Sequence, residues 1–407
     1  MSSWDTSVAV SLAAFTCLTP IIRKGRSLAL AAHSNEGPKC GATLVGSPVS
    51  KRKFTRCVLV VSSARLKRRF RMHRPSGSGE CGARRRRVQM KLHLDTDIGG
   101  DIDDLCALAL VLGWPDVDIT GITTVAEHGG KRAGYARYAL RLAGRTDVSV
   151  LAGADVGLNC FKLPTGLPPE DRYWPQPVLP APGPLEAALD LLEQSIDTGA
   201  TIVAIGPFTN LSLLERRRPG VLSNAHVYLM GGHVFPAPPG FPAWTYDTDY
   251  NVQADPASAR RVLESAKCTL IPIEVTAQTA LERAHLPMLA RSGPLAQLIA
   301  RQAAAFAEDW RNDEQYGRTC AGVPEDIINF QHDPLACGVA LGWDGVTIEE
   351  VRILFEMQGP RLCGRIDVAG RAQRVVTAVD GPRFSALWVD IVSGARNTRS
   401  GQRRACP

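Results

Sequence analysis

Nowhere in the 407 residues does an apolar run reach the ~20 positions that a spanning helix requires, which excludes an α-helical membrane protein. Paired cysteines are also missing. The eleven cysteines are scattered, with no CxxC and no metal-finger spacing, as expected of reduced thiols. Cys106 and Cys337 sit inside apolar runs and read as small buried hydrophobes. Acidic residues are scarce in residues 1–90, where 3 Asp/Glu face 18 Lys/Arg. The remainder carries 37 acids against 29 bases, so the net charge of +7 hides a basic end (+15) on an acidic body (−8). That split removes the usual argument from net charge to nucleic acid, because the body of the chain is the wrong sign.

Residues 1–90 also lack helical or strand periodicity and are broken by runs such as Lys67-Arg68-Arg69. They are expected to be a disordered basic extension. A transit-type segment, a nucleic-acid tail, or translated sequence upstream of a true start at Met90 would each explain it. The last is preferred, since the folded pattern begins immediately after Met90. The basic tail, residues 393–407, is expected to fray.

Between these ends, residues 91–392 alternate short β-branched or apolar runs with amphipathic stretches. Strands are predicted at Lys91 to Asp97, Asp118 to Val125, Val148 to Ala152, Thr201 to Ile205, His226 to Met230 and Cys268 to Ile273. Helices are predicted at Asp104 to Leu112, Lys131 to Leu142, Leu185 to Ile196 and Pro256 to Ser265, the last opened by Asp255 as N-cap. Such alternation predicts an α/β domain with a mainly parallel open sheet flanked by helices. Ligands of such sheets bind beyond the carboxyl ends of the strands. Leu163 to Pro184 and Phe235 to Pro242 are predicted loops bordering a site. Val351 to Leu354 and Val375 to Val379 suggest a terminal hairpin-like addition.

The first strand runs into Asp95-Thr96-Asp97-Ile98-Gly99-Gly100-Asp101-Ile102-Asp103-Asp104, five carboxylates in ten residues. Carboxylates this close raise one another's pKa unless a cation lies among them, and an oxygen-seeking ion such as calcium or magnesium resolves the conflict. An EF-hand is rejected: counting from Asp95, the twelfth position is Cys106 where a bidentate acid belongs. A purely capping, solvated acidic turn is the bland alternative.

Four further segments accompany that turn: Ile205-Gly206-Pro207-Phe208-Thr209-Asn210-Leu211, Leu229-Met230-Gly231-Gly232, Asp249-Tyr250-Asn251 ahead of Asp255-Pro256, and His332-Asp333-Pro334-Leu335. In this order, from about Lys91 to about Val392, the set resembles the inosine-uridine-preferring nucleoside hydrolase family, which has a Rossmann-like α/β fold. The resemblance implies hydrolysis of ribonucleosides to ribose and free base with calcium as cofactor. It implies that Asp97, Asp104, the main-chain carbonyl of Thr209 and Asp333 hold the ion, and that Asp103 grips the ribose hydroxyls. Asp249 and Asn251 would bind the sugar, Met230 would lie beneath it, and Asp95 would orient Asp97. Asp97 would take a proton from the attacking water, and His332 is the candidate donor to the departing base; a core histidine is its bland reading. Carboxylates crowded round a sugar suit the oxocarbenium character of glycosidic cleavage.

Three features depart from the family's pattern. Gly100-Asp101 is extra, which blurs the roles of Asp101, Asp103 and Asp104. His128 falls where a sugar-facing asparagine is common; it could bind a ribose hydroxyl, act as a second acid, or sit in water. Ala243 replaces an asparagine on the 5′ side of the ribose. Tyr173, Trp174, Trp244, Trp310 and Tyr316 are candidates to stack on the base, while Trp343 and Trp388 read as edge and core. A hydrolase of a modified riboside, a catalytically silent nucleoside or ribose binder, and a phosphatase using Asp95-Thr96-Asp97 are the rival functions. By analogy the chain is expected to form a homodimer or homotetramer in the cytoplasm, with organelle targeting by residues 1–90 left open.

Overall fold

A computed structural model describes residues 89–155, 157 and 166–395. Residues 1–88 of the expected basic extension and the tail from Arg396 lie outside the described residues. Apolar strand residues dictate the framework: Leu92 and Leu94 of β1 (Met90–Thr96), and Ile202 and Val203 of β4 (Thr201–Ala204), are essentially inaccessible to solvent. Between these strands come α1 (Asp103–Gly113), β2 (Val117–Thr124), α2 (Lys131–Leu142), β3 (Val150–Ala152), α3 (Glu170–Tyr173) and α4 (Leu185–Asp197). After them follow α5 (Thr209–Arg217), β5 (His226–Met230), α6 (Tyr250–Ala254), α7 (Pro256–Ser265), β6 (Cys268–Ile271) and α8 (Ile273–Thr276). The strands and the four helices predicted from sequence are all present, with ends shifted by a few residues. β6 stops two residues early because Pro272, which has no N–H to give a ladder, ends it and leads into α8.

The rest of the chain is β7 (Ala280–Glu282), α9 (Leu286–Ala290), α10 (Pro294–Trp310), β8 (Ile327–Phe330), α11 (His332–Ala340), β9 (Val346–Gln358), β10 (Arg361–Ile366), β11 (Arg371–Val379) and α12 (Gly381–Val392). The expected hairpin-like addition is a three-strand antiparallel unit with β9 in the middle, which joins the main sheet because β11 pairs parallel with β6. One nine-stranded sheet results, ordered β10-β9-β11-β6-β5-β4-β1-β2-β3. Among the described residues no helix is long and apolar enough to cross a membrane.

The strand order reverses at β1, which pairs with β4 on one side and β2 on the other, both parallel. Chains leaving β1 and β4 therefore turn to opposite faces and open a crevice between them. Two glycines permit the crowding there. Gly99 has φ +102°, and a Cβ on it would lie 2.4 Å from the Tyr135 ring; one on Gly206 would lie 2.8 Å from Asp97 Oδ1. Helix α10 brings a second wall to the crevice. Its apolar positions Leu298, Ile299, Ala303 and Phe306 recur at helical spacing behind Gly293-Pro294, a pattern visible in the sequence.

Candidate active site

Above the β1/β4 crevice lies a cavity of about 680 Å³, in the size range of small-molecule sites. Its floor is the acidic turn. Asp97 leaves the end of β1, and Asp103 and Asp104 open α1, where negative charge faces the helix N-terminus. Asp333 arrives from the first turn of α11, and its amide donates to Asp103 Oδ2 at 3.4 Å. All four line the cavity and are at most 8 % exposed. Asp101, Asp103 and Asp104 present carboxylate oxygens within 4.8 Å of one another. That tight triple includes Asp101, at the extra position of the turn.

Burial, followed by mutual repulsion, pushes the carboxyl groups of Asp103, Asp104 and Asp333 well above the usual range. Burial raises Asp97 to about 6, opposed by the positive charge of Arg132. An all-oxygen donor set whose charge is so poorly compensated suits a hard divalent cation. Asp95, two residues upstream, accepts from Thr123 Oγ1 (2.5 Å) and Asn210 Nδ2 (2.8 Å), tying β1 to β2 and α5 below the cavity. Asn210 itself was not singled out from the sequence, although it lies in the Gly206-Pro207-Phe208-Thr209-Asn210 segment.

The residues expected on the sugar side come from the end of β5 and the start of α6. Met230 lines the cavity, and Asn251 Nδ2 donates to the carbonyls of Ile205 (3.0 Å) and Met230 (3.1 Å). Asp249 caps α6 through Val252 N and also accepts from Gly232 N at 2.6 Å, which locks the two loops together. Ile205 lines the cavity but Thr209 does not reach it. The turn at Gly206-Pro207 leaves Ile205 at the mouth of β4, whereas Thr209 has entered α5 and donates its hydroxyl to Asp255 Oδ2 (2.8 Å). Of the two, only Ile205 borders the cavity, so the structure does not bring Thr209 together with the aspartates.

His128 is a second correction. It is exposed and stands outside the cavity. The cause is its neighbour Glu127, which is buried under the start of α2 and accepts from Thr124 Oγ1 and from the amides of His128 (3.0 Å), Gly130 (3.0 Å) and Ala133 (2.7 Å). The loop turns His128 outward as a result. Arg132 takes the inward place: it is 1 % exposed, donates to Ala126 O (2.8 Å) and Ile98 O (3.2 Å), and lines the cavity as its one cationic residue at neutral pH among the described residues. Sequence reasoning missed it because an arginine inside an amphipathic helix reads as a solvated face.

His332 stands between the acidic floor and an aromatic wall. Its Nδ1 meets Thr276 Oγ1 at 2.7 Å, and its ring lies 5.7 Å from both Trp244 and Phe330. Burial lowers its pKa to about 4, so the ring is neutral at pH 7 until a negative partner approaches. Of the five candidate stacking residues, Trp244, Trp310 and Tyr316 line the cavity. Tyr173 and Trp174 do not: Trp174 stacks on Tyr135 at 4.2 Å, and Tyr173 donates to Asp309 Oδ2 at 2.9 Å. Phe306 and Phe330, unmarked in the sequence, complete the wall. Ala243 is exposed and also stands outside the cavity. Trp388 is core, donating Nε1–H to Cys106 O at 3.0 Å, and Trp343 packs on Phe384.

Comparison with known proteins agrees with this geometry. Residues 92–386 match the family model described as inosine-uridine preferring nucleoside hydrolase. A pyrimidine-specific ribonucleoside hydrolase RihA of Salmonella newport is 27 % identical over 282 residues, covering 67 % of this chain and 86 % of that protein. A plant nucleoside hydrolase structure shares the fold with a TM-score of 0.62 at 22 % identity, covering 75 % of this chain and 99 % of its own. A purine-preferring ribonucleoside hydrolase from Gardnerella vaginalis aligns with a TM-score of 0.61 at 23 % identity over 75 % and 98 % of the two chains. With the acidic turn, the Asp249-Tyr250-Asn251 segment and the His332-Asp333 pair converging on one cavity, the chain belongs to the inosine-uridine preferring nucleoside hydrolases, enzymes that hydrolyse the N-glycosidic bond of ribonucleosides.

Proposed function

We propose that this chain hydrolyses ribonucleosides to ribose and free base with calcium bound in the acidic floor of the cavity. The observation that carries the reading is the gathering of four buried carboxylates, Asp97, Asp103, Asp104 and Asp333, opposite an aromatic wall in a single cavity. Such a density of buried negative charge costs stability unless a cation compensates it. Asp97, Asp104, Asp333 and the Ile205 carbonyl are the groups that would hold the ion, with Asp101 as a further carboxylate at the rim. When bound, calcium would acidify a water and bind the ribose diol.

The chain's own residues supply the remainder. Asp97 accepts the proton of the attacking water, a role its position at the end of β1 on the cavity floor supports. Asp103, Asp249 and Asn251 orient the sugar, and Met230 supports its face. Positive charge that develops on the ribosyl ring as the bond stretches is met by the surrounding carboxylates, which favour the transition state over the neutral substrate. His332 lies next to the aromatic wall that would hold the base; as charge builds on the departing base the ring takes up a proton from solvent and passes it on from Nε2, while the proton accepted by Asp97 leaves to solvent. The amide and hydroxyl bonds of Asp95, Glu127 and Asp249 keep these groups in place.

Names of the relatives diverge on the base, pyrimidine for RihA and purine for the Gardnerella protein, so the substrate panel should span both. Ribose release is to be measured from inosine, guanosine, adenosine, uridine and cytidine, with calcium and with excess chelator. Release that is lost with chelator and restored by calcium is expected. Calcium-independent release, or none from any nucleoside, would refute the proposal.

A further inference from the structure

One histidine of β1 has no part in the reaction as derived above, yet it is wholly inaccessible and bonded at both ring nitrogens. His93 Nε2 meets Thr123 Oγ1 of β2 at 3.0 Å, and Nδ1 meets Ser195 Oγ of α4 at 2.9 Å. Its neighbour in register on β4 is the buried Ile202, so an apolar side chain would suit this layer of the sheet. Burying an imidazole there is costly and drives its pKa down to about 3, which keeps the ring neutral. A neutral ring has one N–H and one lone pair, and its neighbours decide which nitrogen has which.

Thr123 gives its hydroxyl hydrogen to Asp95 Oδ1 at 2.5 Å, an oxygen that also accepts from Asn210 Nδ2 at 2.8 Å. The Thr123 oxygen must therefore accept from His93, which puts the ring proton on Nε2. Nδ1 is then the acceptor for the Ser195 hydroxyl, and Ser195 in turn accepts from Thr120 Oγ1 at 2.9 Å. Thr120, Ser195, His93 and Thr123 thus donate one after another toward a single carboxyl group, and in such a chain each bond polarises the next. Asp95 is a junction beneath the cavity floor. Its carbonyl accepts from Ile205 N at 2.8 Å, Ile205 borders the cavity, and Asp97 follows two positions later at the end of the strand.

Resting on the nucleoside hydrolase reading above, we propose that His93 is a positioning residue for the acidic floor: as the Nε2–H tautomer it aims the Thr123 hydroxyl at Asp95 and so fixes the strand end that presents Asp97 to calcium. It touches neither the ion nor the substrate.

The test uses the whole chain and reads the tautomer and the affinity for calcium alone. A long-range proton–nitrogen NMR spectrum of the imidazole should show the Nε2–H form; an Nδ1–H form would reverse the chain of donors and overturn the assignment. His93→Leu and Thr123→Val should each weaken calcium binding in equilibrium dialysis by about 10-fold, the lower end of the range for groups behind a metal ligand, because both act through Asp95. His93→Gln keeps an N–H close to the place of Nε2 and should retain most of the affinity. The double variant His93→Leu/Thr123→Val should bind calcium no more weakly than either single variant, since one chain is cut twice. If the leucine variant does not fold, the nearly isosteric Thr123→Val and His93→Gln carry the comparison. Equal losses in His93→Gln and His93→Leu, or losses that add in the double variant, would reduce His93 to ring packing and overturn the assignment, and so would unchanged affinity throughout. Wild type that binds calcium but releases no ribose removes the hydrolase reading and leaves the role of His93 to stand on the dialysis; wild type that binds no calcium removes both.

Discussion

Stripping calcium should make this protein progressively less stable as pH rises, a direction opposite to that of a protein held by salt-bridged carboxylates. In the metal-free fold Asp97 has its pKa raised from 3.8 to about 6, chiefly by burial. The unfolded chain ionises it near 3.8, so between the two values the native state binds the extra proton. Stability contributed by that proton is present below pH 3.8 and is lost as pH climbs through 6. The shift of about 2 units is worth about 3 kcal/mol. Asp103, Asp104 and Asp333 are shifted the same way and add to the effect.

For a domain of this size, about 3 kcal/mol moves Tm by roughly 5 °C. Calcium would replace the protons as the compensating charge and stabilise by mass action. Calorimetry with calcium and with chelator, at pH 5.0 and pH 8.0, should therefore show a calcium-induced rise in Tm that is larger at pH 8.0, with Asp97 alone supplying about half of this amount because the rest of its linkage is spent below pH 5.0. In Asp97→Asn the metal-free protein should be more stable at pH 8.0 than metal-free wild type, because the charge that burial opposes is gone. A calcium increment that is equal at the two pH values, or an Asp97→Asn variant destabilised at pH 8.0 without metal, would refute the reasoning.

His332→Ala should lower kcat for inosine by roughly 10²–10⁴-fold, as for a lost general acid, with calcium binding retained. The loss on p-nitrophenyl riboside, whose leaving group departs without a proton, should be far smaller, and equal losses would make His332 a positioning residue. Asp333→Ala should lose calcium measurably by equilibrium dialysis together with nearly all activity; tight retention of the ion would remove Asp333 from its ligands. Exposed His128 gives a contrasting prediction, since His128→Ala should leave kcat/KM for inosine within about twofold, the surface position having no substrate to touch. A chain beginning at Met90 should fold and turn over inosine at the full rate, because β1 begins there and its Leu92 and Leu94 fill the core.

Much of this protein was legible in order along the chain. Alternating strand and helix patterns determined the mainly parallel sheet, and the five aspartates in ten residues marked the acidic turn. The Asp255-Pro256 start of α7 was equally plain, because capping is a local bond: Asp255 Oδ1 accepts from Ser258 N at 3.2 Å. What only the tertiary structure decided were contacts between segments distant in sequence. His128 and Arg132 are four residues apart, yet burial of Glu127 beneath α2 turns the first to solvent and the second into the cavity. Ile205 borders the cavity and Thr209 does not, because a turn at Gly206-Pro207 separates a strand end from a helix start and only the strand end faces the crevice. Trp174 and Trp244 look alike in sequence, but one is stacked on Tyr135 in the core while the other lines the cavity beside His332. Local propensity can name a residue's element and its chemistry; the direction in which its side chain points depends on which distant surface fills the space beside it.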